Sequence, residues 1–169
     1  MKSVVLVIIL FSIGCKGHKT ADLNAQHAAS IGTMHIVLEG KEYNFDQVSK
    51  LNSTAAFKEG IIEFYLTKDG APVSVNFNLH NTDVLEKEST IYIIPDANNG
   101  TAMVDLSFFN AKREGKQMNK RIVFRKGEIN IVQISTSRLE MSFKGEGGPM
   151  MDRALSFPIS GTIDITLSQ

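Results

Sequence analysis

The side chains of this chain that could do chemistry are one thiol, four imidazoles, scattered carboxylates and one dense run of cations. Cys15 is the only cysteine, so no intramolecular disulfide can form, and a lone thiol is worth placing by its position in the chain. The cations concentrate in 111–126 (AKREGKQMNKRIVFRK), where Lys112, Arg113, Lys116, Lys120, Arg121, Arg125 and Lys126 stand against Glu114 alone, a net +6. Positive charge gathered on one hairpin attracts an anionic glycan, a lipid headgroup or an acidic envelope protein. The plainer role is a solubilising hairpin whose lysines blunt an edge strand. Nucleic acid is not expected, because only Phe124 is interleaved as a stacking ring.

No other set of residues has the spacing of a reactive centre. The chain lacks Gly-x-Ser-x-Gly, Ser-x-x-Lys, a phosphate-cradling loop and His-Glu-x-x-His. His18 and His27 lie nine apart in a polar stretch, and His35 and His80 project from the polar faces of two strands. Two imidazoles could share a metal only if those strands were neighbours, and a zinc site needs further ligands. Asp83, Glu86 and Glu88 form an acidic patch with no sign of the burial that acid–base work requires. Asp96-Ala-Asn98-Asn-Gly100 places glycine at the fifth position of a would-be calcium loop, not the sixth, and fits an Asn-Gly turn better. Gly145-Glu-Gly147-Gly148 lacks the third glycine of a dinucleotide turn. Met150 and Met151 could offer soft thioethers to cuprous copper or an adaptable apolar contact, although tucking at least one onto the domain is the simpler expectation. No catalytic residue, metal or cofactor is therefore expected.

The position of Cys15 gives the thiol its role. Lys2 supplies a minimal basic start, Val4–Phe11 is an unbroken apolar run, and Ser12 and Gly14 put small residues three and one places before Cys15. Counted through Ile13 the apolar stretch is about ten residues, half of the roughly twenty a membrane-spanning helix needs, so it reads as a signal-peptide core. Met1–Cys15 resembles the signal peptides of bacterial lipoproteins, whose lipobox ends in a small residue followed by cysteine. The resemblance implies cleavage before Cys15, a diacylglyceryl group on its sulfur and acylation of the new terminus, which together anchor a protein in a membrane. Ser12 departs from the leucine usual at that place. Lys16, where inner-membrane lipoproteins often carry Asp, implies the outer membrane of a bacterial envelope.

The remainder must position any binding site. Residues 15–31 (the cysteine followed by KGHKTADLNAQHAASI) are expected to be a flexible tether, and 32–169 a single domain. The mature part carries 17 basic and 18 acidic residues, so with +6 in 111–126 the rest holds −7. From Gly32 the pattern alternates with period two, as in Met34, Ile36 and Leu38, or Val73, Val75, Phe77 and Leu79. Further runs are expected at Glu42–Asp46, Ile61–Thr67, Thr90–Ile94, Thr101–Asn110, Arg121–Arg125, Glu128–Ile134, Arg138–Lys144 and Phe157–Leu167. Turns are expected at Lys68-Asp69-Gly70, Asn98-Asn99-Gly100, Lys126-Gly127 and Gly145–Pro149. Asp46–Lys58 leaves room for a short helix or an irregular crossing, and Gly161 is expected to mark a bulge. A short echo, Gly32-Thr-Met-His-Ile36, Gly127-Glu-Ile-Asn-Ile131 and Gly161-Thr-Ile-Asp-Ile165, fits glycine entering a strand after a turn, with an ancient hairpin duplication as the alternative.

The fold expected is an all-β antiparallel sandwich of about 9–10 strands, with a closed or partly open barrel as the alternative. The function expected is a non-enzymatic binding or structural role at the envelope. The alternatives are a barrel carrier of a small apolar ligand and, further off, a hydrolase of envelope material.

Overall fold

The structure, a computed structural model, describes residues 26–95 and 103–168. The signal sequence, Cys15, His18 and Asp96–Gly100 lie outside them. The described strands are β1 (Gln26–Leu38), β2 (Lys41–Phe45), β3 (Thr54–Lys58), β4 (Ile61–Thr67), β5 (Val73–Leu79), β6 (Thr90–Ile94), β7 (Val104–Asn110), β8 (Arg121–Ser135), β9 (Arg138–Pro149) and β10 (Phe157–Ser168). Single 3-10 turns occupy Asp83–Glu86 and Gln117–Lys120.

All ten strands belong to one curled antiparallel sheet. Hydrogen-bonded neighbours run β10-β9-β8-β7-β5-β4-β3-β1, and β1 pairs with β10 in turn. The strand-forming signal is the expected alternation. Val73, Val75, Phe77 and Leu79 of β5 are all buried, as are Leu139, Met141 and Phe143 of β9 and Ile159, Ile163 and Ile165 of β10. The inward positions are filled by large side chains, among them Phe57, Phe64, Phe77 and Phe108. Phe57 meets Phe64 edge-on at 5.9 Å between centroids, and Phe64 stacks on Phe77 at 6.1 Å. Full burial of side chains of this size contributes roughly 1.5–3 kcal/mol each.

Several local expectations are corrected. Lys126-Gly127 does not turn the chain: Arg121–Arg125 and Glu128–Ile134 are one strand, β8, with a register shift between Phe124 and Lys126 that leaves Arg125 as the extra residue. Gly145–Pro149 belongs to β9 and is no turn. Asp46–Lys58 contains β3, whose Ala55 and Phe57 point into the core. β1 takes in Gln26–Ile31, residues expected in the tether. Gly161 makes no bulge, because its register with β9 and β1 is continuous and Ile159, Ile163 and Ile165 already share its face.

The glycines explain these differences. Gly32, Gly127 and Gly161 lie inside strands, not at their starts. A Cβ at each would stand 2.3 Å from a backbone carbonyl oxygen, that of Asp164, Lys144 or His35 respectively. Only glycine lets neighbouring strands come so close, and such positions allow a sheet to coil. Aromatic rings cover the bare backbone: Phe124 over Gly127 and Gly145, and Phe143 over Gly161. The two longest strands also change partners near their glycines. β1 pairs with β3 over Gln26–Ala28 and with β2 over Met34–Leu38. β8 pairs with β7 at Arg121–Val123 and with β6 at Gly127–Ile131. Strands that serve both halves of a curled sheet form its corners. Two of the echoed segments pair with each other, Gly32 opposite Ile165 and Ile36 opposite Gly161.

Candidate functional site

Strand registers gather four connections at one end of the sheet. Leu38 lies opposite Ile159, Phe157 opposite Gly147, Pro149 opposite Ile122, Arg121 opposite Phe109, Asn110 opposite Val73 and Ser74 opposite Thr67. The β1–β2 turn, the β4–β5 turn, the β7–β8 loop and the β9–β10 loop therefore share one rim. The start of β1 is at the other end, where Ala28 faces Ser168, beside the β3–β4 and β8–β9 turns.

The basic segment forms the β7–β8 loop and the first part of β8, so all seven of its cations lie at or near this rim. They divide into two groups. Arg113 grips Glu39 of the β1–β2 turn, its Nε donating to both carboxylate oxygens at 3.2 and 3.1 Å and its Nη2 to Oε1 at 2.9 Å, while Nη1 donates to the Asn119 carbonyl at 3.0 Å. Lys120 donates to the Ala111 carbonyl at 3.0 Å, and Arg121 to Ser107 Oγ at 3.3 Å with Asp105 3.9 Å away. Arg125, pushed outward by the bulge, donates to the carbonyls of Pro149, Asp152, Arg153 and Leu155. The side chains of Lys112, Lys116 and Lys126 have no hydrogen bond or ion pair among the described residues. Four of the cations thus hold the rim together and three are left to solvent.

Arg125 gives the β9–β10 loop its shape. Its guanidinium sits inside the loop and takes up carbonyls that would otherwise need water. Asp152 Oδ1 completes the arrangement by accepting from the amides of Ala154 and Leu155 at 3.1 and 3.2 Å. Gly148 makes room for it, because a Cβ there would lie 2.1 Å from the Leu155 carbonyl and 3.0 Å from Arg125 Nη1. Neither methionine of this loop is tucked away: Met150 is 45% exposed, Met151 61% and the nearby Leu155 42%. Met118, in the 3-10 turn of the neighbouring loop, is 55% exposed. Met150 is tied to that side by its amide, which donates to the Arg121 carbonyl at 2.9 Å. The adjacent Arg153 is exposed, and its guanidinium has no partner among the described residues.

Comparison with protein-family models, with curated proteins and with solved structures gives no match.

The remaining candidates do not assemble. His35 is on β1 and His80 follows β5, strands that are not neighbours in the sheet. His35 instead lies 3.9 Å from Glu42 and borders a shallow outer hollow with Glu128, Ser142, Lys144, Ser160 and Thr162. No group of three or more His, Cys, Asp or Glu able to hold a metal occurs among the described residues. Asp83 begins a 3-10 turn; burial first, and then this carboxylate, raise the pKa of the Tyr92 hydroxyl. A second hollow, bordered by Glu39, Tyr43, Asn110, Lys112 and Arg113, opens on the basic rim. Sequence reasoning missed Arg125 as an organiser of the methionine loop. The bulge that aims it outward left no local signature beyond the adjacent Lys126-Gly127, which imitates a turn.

Proposed function

We propose that this chain is a lipid-anchored lipoprotein of the bacterial envelope with a non-enzymatic binding role, and that the rim of the sheet opposite the start of β1 is its binding end. The observation that carries this reading is the gathering of six cations of 111–126 at one rim, with Lys126 close by in β8, beside exposed methionines on a loop already fixed by Arg125. A preorganised loop loses little conformational freedom when it binds. The anchor half of the reading rests on Cys15 at the end of a lipobox-like signal, and Lys16 favours the outer membrane. Filled inward positions favour the outer rim over the interior as the place of binding. For the architecture we favour a closed barrel over a sandwich, since the pairings lead from β1 through six further strands to β10, which pairs with β1 again in a ring of eight.

The anchor is tested by fractionating cells that express the full chain or its Cys15→Ser variant. The expected result is wild-type protein in the outer-membrane fraction with a mass increased by acyl chains, and an unacylated variant that a high-salt wash releases. A wild-type chain of unacylated mass contradicts the anchor.

A further inference from the structure

We infer that the binding end docks on an anionic bilayer surface, with Met118, Met150, Met151 and Leu155 entering the interface and the surrounding cations meeting lipid headgroups. This deepens the proposed function and rests on its choice of the rim as the binding end, but it does not depend on the lipid at Cys15.

Three observations point to a bilayer over an acidic protein or a glycan. First, the exposed large apolar side chains of the rim loops are three long, unbranched methionines, Met118, Met150 and Met151, with Leu155 beside them. Met151 and Met118 are 61% and 55% exposed on two adjacent connections. Apolar tips ringed by Lys and Arg are the arrangement of segments that lie in the headgroup boundary. Second, the charge is complementary. The four rim connections together with Arg121 and Arg125 hold Lys68, Lys112, Arg113, Lys116, Lys120, Arg121, Arg125 and Arg153 against Glu39, Asp69, Glu114 and Asp152, a net +4. Of those carboxylates, Glu39 is engaged by Arg113, Asp69 by Asn52 and Asp152 by backbone amides, whereas Lys112, Lys116 and Arg153 project without partners among the described residues. Third, the loop is fixed before any contact, so its methionines can enter a disordered interface without a complementary pocket to shape them.

The anchoring membrane is itself within reach. Cys15 stands eleven positions before Gln26, a span of at most about 36–40 Å. β1 has 13 residues and a length of about 43 Å if straight. A domain lying along the bilayer brings both its anchor and its rim to the same surface.

The chain contains no tryptophan, which makes a direct test possible. Full-length Cys15→Ser protein, free of lipid, carries a single tryptophan as Met151→Trp, Met118→Trp or, at the opposite end, Glu59→Trp. Each is mixed with vesicles of phosphatidylglycerol and phosphatidylethanolamine, or of phosphatidylcholine alone. The expected result is a blue shift of emission at 151 and 118 with anionic vesicles only, none at 59, and reversal in high salt. Lys112→Gln with Lys116→Gln should weaken vesicle binding by more than tenfold, at about fivefold per cation, with an unchanged circular dichroism spectrum. Equal shifts at all three sites, or none at 151 and 118 in a folded protein, overturn the inference. Binding of soluble polyanionic glycan or acidic protein without vesicle binding overturns it too, while leaving the rim as the binding end. Failure of the acylation experiment alone would remove the anchor and leave this result standing.

Discussion

The wall of the sheet and the β9–β10 loop are both built over glycine, yet different forces close them. In the wall, Gly127, Gly145 and Gly161 let strands approach, and the rings of Phe124 and Phe143 fill the space above them. In the loop, Gly148 admits a carbonyl and a guanidinium, and Arg125 fills the space with charge-assisted hydrogen bonds. The wall buries its large side chains, while the loop leaves Met150, Met151 and Leu155 partly in water. The difference separates two kinds of closure: the wall is held by apolar burial, and the loop by directed polar contacts that leave its apolar tips exposed.

Substitutions can break that contrast in order of effect. Gly161→Ala should be the most damaging, because its Cβ would lie 2.3 Å from a backbone oxygen and 2.6 Å from the Phe143 ring. Loss of the cooperative thermal transition, or a large fall in its midpoint, is the expected readout. Phe143→Ala removes a buried ring that meets Phe108 at 5.6 Å and Phe124 at 6.3 Å, and should cost about 3–5 kcal/mol in denaturant unfolding. Arg125→Met should cost only about 1–2 kcal/mol, with amide exchange accelerated over 150–156 and unchanged in the wall strands. If Arg125→Met unfolded the whole domain, the separation of wall from loop would be wrong. Glu39→Gln, which breaks the ion pair to Arg113, should cost up to about 1 kcal/mol and matter less as salt is raised.

The smallest effect is expected at Asp69. Hydrogen bonds from Ser49 and then Asn52 hold its carboxyl below the ordinary value of 3.8. A carboxylate with a depressed folded pKa adds stability above its unfolded pKa and loses it as pH falls through the folded one. Asp69→Asn should therefore lower the unfolding midpoint slightly at pH 6, and the gap from wild type should close toward pH 2. A gap of constant size would show that the carboxylate charge plays no part.

Much of the wall was legible in the sequence, because alternation follows directly from a strand with one buried face. Ile61–Thr67 and Thr90–Ile94 match β4 and β6 residue for residue. The failures cluster where backbone approaches backbone. Glycine in a turn and glycine under a neighbouring carbonyl look alike in one dimension, so Lys126-Gly127 and Gly145–Pro149 resembled turns. β3 was hidden because Thr54–Lys58 is short and contributes only Ala55 and Phe57 to the core. In the candidate site, the concentration of cations was plain, but not its division into gripping and free members. That division depends on carbonyls of residues 149–155 and a carboxylate at Glu39, far from 111–126 in the chain.

The central claim is that the rim opposite the start of β1 is the working end. Photo-crosslinking in intact cells tests it most directly, with a photoreactive side chain placed in turn at Met118, Met151 and Glu59 of the full chain. The account predicts that Met118 and Met151 capture envelope material and that Glu59, in the β3–β4 turn, does not. Capture at Glu59 with none at the two methionine sites would contradict it.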